Sequence, residues 1–72
     1  MSITTYFERG NLVSVDFQDG TPVFPAAIIA SRYEYHQGLG DEVTVFNLED
    51  LTDGTSVQLT LDEMNRFVSI ID

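Results

Sequence analysis

A mainly β domain of five short strands, with one helical turn ahead of the last strand, is the fold that three observations predict. Apolar residues recur at every second position in several stretches, which is the period of a half-buried strand. Two Asp-Gly pairs, Asp19-Gly20 and Asp53-Gly54, separate such stretches and suit turns that need positive φ. Thr60 followed by Glu63 is the signature of a capped helix start. The 72 residues make a single small acidic domain, 1–72. A chain of this size buries only about 60% of its unfolded surface, so its core is thin.

Taken in order, Met1 to Gly10 carries Ile3, Tyr6 and Phe7 without a clear period, as a short first strand or a lead-in over one end of the fold. Gly10-Asn11 is a turn signal. Val13, Val15 and Phe17 then alternate with Ser14, Asp16 and Gln18, which predicts a strand that folds back through a tight turn at Asp19-Gly20. Thr21 and Pro22 open the return strand, where a proline is tolerated at the first residue. Ala26 to Ala30 is apolar without alternation and predicts a segment covered on both faces. Beyond it Tyr33 and Tyr35 share one face, and Arg32, Glu34 and His36 the other.

Gln37 to Asp41 reads as a loop, because two glycines in three residues suit neither helix nor strand. Glu42 to Leu48 resumes as a strand, with Val43 and Val45 on one face and Thr44, Phe46 and Leu48 on the other. Glu49 to Gly54 is an acidic turn, and Val57, Leu59 and Leu61 alternate with Ser56, Gln58 and Thr60 in a fourth strand. The Thr60–Glu63 capping box predicts helix over Leu61 to Arg66, with Met64 and Phe67 inward. Asp62 and Glu63 favour the positive end of its dipole. Val68 to Ile71 closes as a last strand. Val-x-Val followed by Asp-Gly-Thr occurs twice, which is repeated hairpin chemistry and not a repeat array.

Charge limits the partners. Twelve acidic side chains face three arginines and no lysine, for a formal charge of -9. Arg9, Arg32 and Arg66 are too few and too scattered for a basic patch, so direct binding to nucleic acid or to an anionic membrane is excluded. A basic protein surface is the natural complement, while the plainer role of such charge is solubility. There is no cysteine, hence no disulfide and no thiolate metal site. No signal peptide or membrane span is evident, and the chain, which starts at Met1, is expected to be complete, soluble and cytoplasmic.

The strand order, the long second strand, the Asp-Gly turns and the helical turn before the last strand together resemble a small five-stranded SH3-like barrel. Within that fold the pattern resembles the Tudor-like and chromo-barrel-like group, over Asn11 to Ile71. The resemblance implies an aromatic cage at the barrel mouth for a methylated lysine or arginine. By position its members are Phe17, Phe24, Tyr33 and Phe46, with Asp50 as the acidic partner, and the usual tryptophan is missing.

Catalytic chemistry finds no set of groups. The single histidine, His36, stands at a strand end and reads as a solvated side chain. Gly38-Leu39-Gly40 lacks the helix and lysine of a phosphate loop. Glu49, Asp50 and Asp53 crowd one turn without the alternate spacing of a calcium loop, so no metal or cofactor is expected. Candidate partner-binding residues are Tyr33, Glu34, Tyr35, Asp41, Glu42, Glu49, Asp50 and Asp53: tyrosines ringed by carboxylates are an anchor for arginine.

The expected function is a non-enzymatic acidic protein-binding module. Tiny size and high negative charge make it similar to the acidic inhibitors encoded by phages and plasmids, which imitate nucleic acid and block a host nucleic-acid-binding protein. One alternative is a Tudor-like reader of a modified or arginine-rich peptide. Another is a structural component of a phage particle or other assembly. An open edge strand also offers a second copy of the chain a place to add, giving a homodimer.

Overall fold

A computed structural model describes residues 7–36 and 41–71, with the side chains of His36 and Asp41 outside that description. The readings at Ile3, Tyr6, the 37–40 loop and Asp72 lie outside the described residues. Five strands and one helix follow in the order β1 (Leu12–Val15), β2 (Phe24–His36), β3 (Asp41–Asp50), β4 (Ser56–Thr60), α1 (Leu61–Phe67) and β5 (Val68–Ile70). The strands form one antiparallel sheet of order β4-β3-β2-β1-β5. The mainly β fold and the helix before the last strand are therefore as the sequence predicts. Among the described residues the sheet is not closed into a barrel: β4 and β5 are its two outer strands and do not pair with each other.

The core lies on one face of the sheet. Val13 and Val15 of β1, Ala26 and Ile28 of β2, Phe46 and Leu48 of β3, Leu59 of β4 and Val68 of β5 converge there. Met64 of α1, fully buried, closes over them. The helix starts where the sequence says it must. Glu63 N donates to Thr60 Oγ1 at 3.2 Å and Thr60 N donates back to Glu63 Oε1 at 3.0 Å. Both donors are otherwise orphans of a first turn.

Two expectations are corrected. The β1–β2 connection is not a tight turn at Asp19-Gly20, because the ladder ends at Val15↔Phe24 and residues 16–23 form a longer loop. Phe17 leaves the ladder to pack tilted against Phe24 and edge-to-face against Phe67, at ring centroids of 5.9 and 5.6 Å. Asp16 N donates to the Phe67 carbonyl at 2.8 Å, which ties the start of this loop to the end of α1. The chain then returns through two residues of positive φ, Gln18 and Gly20.

The second correction concerns Ala26 to Ala30. Its missing alternation marks a β-bulge and not burial on both faces. Ile28 pairs with Leu48 and Ala30 with the next β3 residue, Asn47, so Ile29 has no partner and is 45% exposed. A bulged residue exchanges the faces of everything after it. Ala26 and Ile28 point to the core, yet beyond the bulge it is Ser31, Tyr33 and Tyr35 that stand opposite Phe46, Thr44 and Glu42 on the core side. Ala30, Arg32 and Glu34 turn to the outer face, opposite Asn47, Val45 and Val43.

Candidate functional site

β2 and β3 run on past the strands that flank them as a projecting arm. β1 pairs with β2 only from Phe24 to Ala27, and β4 pairs with β3 only from Val45 to Glu49. Among the described residues, the distal half of β2 and the start of β3 therefore have only each other. Tyr33 and Tyr35 sit on the core-side face of this arm but past the end of the core, 76% and 66% exposed. Glu42, opposite Tyr35, is exposed beside them. On the reverse face Arg32 donates to Glu34 Oε2 at 2.6 Å and to Asn47 Oδ1 at 3.0 Å. The only arginine of β2 is thus neutralised and turned away from the tyrosines.

A second group of carboxylates lies at the other end of the sheet. In a run of adjacent antiparallel strands, the first and third connections share one end. The β1–β2 loop and the β3–β4 turn lie at one end of the sheet, where Leu51 N at the start of the turn donates to the carbonyl of Pro25 near the start of β2 at 2.9 Å. Both contain Asp-Gly-Thr, built alike. Thr21 N donates to Asp19 Oδ1 at 2.9 Å, and Thr55 N donates to Asp53 Oδ1 at 3.0 Å. Each intervening glycine takes the positive φ that a side chain resists. Hydrogen bonds from the Thr21 side chain and backbone hold the Asp19 carboxyl below its ordinary pKa. Those from the Thr55 backbone and hydroxyl do the same for Asp53. Asp16 is exposed in the same loop, its Oδ1 accepting from Gln18 N at 2.9 Å.

The eight candidate residues are thus not one site. Tyr33, Tyr35 and Glu42 share a face of the arm, with the backbone of Asp41 next to them in β3. Glu34 belongs to the reverse face and is occupied by Arg32. Glu49, Asp50 and Asp53 lie at the opposite end of β3, about 30 Å from Asp41 at roughly 3.4 Å per residue. Glu49 is half-buried between Ala27 and Ser56. Asp50 is only 9% exposed, and its Oδ1 accepts from Thr52 N at 2.8 Å and Thr52 Oγ1 at 2.5 Å. It shapes the turn and presents little of itself to a partner.

Asp16 and Asp19, absent from the candidate set, lie at the same end of the sheet as Asp53. Their signal is the twice-used Asp-Gly-Thr turn read together with the strand order. The aromatic rings expected at a barrel mouth do not converge. Phe17 and Phe24 pack against each other, Phe46 meets Phe7 edge-to-face at 5.9 Å, and Tyr33 has no ring neighbour among the described residues.

Among the described residues, no group of three or more histidine, aspartate or glutamate side chains is placed to hold a metal ion, and no pocket opens in the surface. No helix is long and apolar enough to cross a membrane. No family model, curated protein or solved structure matches the chain.

Proposed function

We propose that this chain is a non-enzymatic, acidic protein-binding module whose target is a basic protein surface, the nucleic-acid-binding face of its partner. The observation that carries this reading is a set of exposed carboxylates that the ion pairs among the described residues leave out. Among the described residues, Arg32 pairs with Glu34 and Arg66 with Asp62. Glu8, Asp16, Asp19, Glu42 and Asp53 are exposed and stand outside both pairs. At a net charge of -9 the repulsion among them opposes folding, and a cationic surface relieves it.

Asp19 and Asp53 are held by their own turns, so less ordering is needed on binding than for charges on free side chains. Fixed negative groups at the end of a compact body are what a groove built for phosphates accepts. Occupying that groove would block nucleic acid, and inhibition is the consequence of such binding.

The test is retention of a partner from lysate of the source cell or its host on immobilised protein, at low and high salt and with excess duplex DNA. A nucleic-acid-binding protein released by both treatments, and no longer retained by the Asp16→Asn, Asp19→Asn, Asp53→Asn triple variant, supports the reading. A partner that survives salt and DNA, and binds the triple variant equally, overturns it.

A further inference from the structure

We infer that the β2–β3 arm takes up an extended, arginine-bearing segment of its partner as an added strand along β2 from Ala30 to Tyr35. This rests on the proposal that the partner is basic, and it adds a second contact with its own mode of binding, at the end of the sheet opposite Asp16, Asp19 and Asp53.

Three features of the arm converge on it. The first is the edge. β1 leaves β2 after Ala27, and the last closing bonds on that side are Gly10 N to the Ile28 carbonyl at 2.8 Å and Ile28 N to the Asn11 carbonyl at 3.0 Å. Past the bulge, no described strand lies beside β2 on this side. An edge of this kind is where an extended peptide adds, its main chain bonded to the ladder and its alternate side chains read from one face. Natural edges are blunted by lysine, proline or inward charge. From Ala30 to Tyr35 there is no proline or lysine, and the one arginine is tied to Asn47 and Glu34 on the outer face.

The second feature is what that edge presents. Tyr33 and Tyr35 stand two residues apart on one face, separated by about 7 Å along the strand. A guest strand has the same period, so guest side chains at alternate positions fall beside the two rings. A guanidinium within about 6 Å of a tyrosine ring is attracted by its face. The third is charge complementarity. Glu42 stands across from Tyr35 on the same face, and the described residues place no cation there. The Ile29 bulge is the cause of the last two: it brings the tyrosines to this face and sends Arg32 to the other. The edge itself opens where the chain ahead of β1 turns at Glu8–Asn11, with Gly10 in positive φ.

The guest sequence that fits is Arg-x-Arg in extended form. The probe is a short peptide alternating arginine with threonine, compared with one of equal composition whose arginines form a single block. A third peptide has the alternating sequence with N-methyl groups on the amides that would pair. Affinity for the intact chain is read by fluorescence anisotropy at one salt concentration, and contact residues by amide shifts. The alternating peptide is expected to bind about tenfold more tightly than the other two, and Tyr33→Ala with Tyr35→Ala to remove about that factor. Shifts are expected from Ala30 to Tyr35.

Equal, salt-sensitive binding of all three peptides would overturn strand addition while leaving the acidic-module reading intact. Shifts confined to Asp16, Asp19 and Asp53, or binding unchanged in the tyrosine variant, would overturn the arm as the site.

Discussion

The Arg32 guanidinium crosses the β2–β3 ladder to donate to Asn47 Oδ1 at 3.0 Å. Asn47 is the β3 residue paired with Ala30, immediately past the bulge, so this bond links β2 to β3 on the outer face to which the bulge has turned Arg32. Val45, the direct partner of Arg32, is buried although it points away from the core, and the methylene stem of Arg32 is placed to cover it. Arg32→Ala removes a partly exposed ion pair, a hydrogen bond and that cover. The loss is expected to be modest, about 0.5–1 kcal/mol by urea denaturation. Arg32→Met keeps the stem and is expected to recover part of it. Equal losses for the two variants would show that the charged head alone matters.

Met64→Ala probes how thin the core is. Met64 is fully buried where α1 meets the sheet, among Val13, Ile28, Leu48 and Leu59. Truncating such a side chain costs about 2–5 kcal/mol, through lost transfer energy and the cavity left behind. A domain of this length has roughly 4–11 kcal/mol in all, from about 0.05–0.15 kcal/mol per residue. Met64→Ala is therefore expected to leave a chain that is largely unfolded or melts far lower, by circular dichroism. Met64→Leu, which nearly conserves volume, is expected to cost less than about 1.5 kcal/mol. A Met64→Ala protein as stable as the parent would mean that α1 is not required to close the core.

The capping box is reciprocal, so its two halves should not add. Thr60→Ala removes the acceptor for Glu63 N and is expected to cost about 1 kcal/mol. Glu63→Ala removes the acceptor for Thr60 N. Once one half is gone the turn frays and the other bond weakens, so the double variant is expected to lose less than the sum. Strict additivity in denaturant midpoints would count against a coupled pair.

This capping box was fully legible in the sequence, because it is local: four residues contain both partners. So were the inward sets Val13 with Val15 and Val57 with Leu59, which follow from period two alone. The bulge was not. An apolar run such as Ala26 to Ala30 satisfies two descriptions, burial on both faces or a slipped register, and only the pairing partners Leu48 and Asn47 separate them. Phe17 misled for a related reason. It continues the Val13, Val15 alternation, yet its place is set by Phe24 and Phe67, the latter distant in sequence. At the acidic turn, Asp50 and Asp53 look alike in one dimension, and a threonine hydroxyl two residues on engages each of them. Asp50 differs in its burial, where β3 ends against Pro25. Asp19 and Asp53 were readable as lying at one end of the sheet, since consecutive antiparallel strands must put alternate connections there.

Those two aspartates carry a pH dependence whose sign can be worked out. Donors from Thr21 and Thr55 lower each carboxyl from its ordinary value of 3.8. A carboxyl depressed in the folded state binds its proton more readily when unfolded. Its stabilising contribution is therefore complete above 3.8 and is lost as pH falls through the lower folded values. Lowering the net charge of -9 acts in the opposite sense, since it relieves repulsion across the chain. The two effects are separable by substitution. Asn at 19 and 53 keeps an oxygen that accepts from the Thr21 and Thr55 backbone N–H groups but has no proton to take up. The Asp19→Asn, Asp53→Asn variant is expected to show a shallower loss of stability below pH 3.8, measured as thermal midpoint against pH in high salt, where repulsion is screened. Superimposable profiles for parent and variant would mean that the Asp-Gly-Thr turns contribute nothing to acid sensitivity.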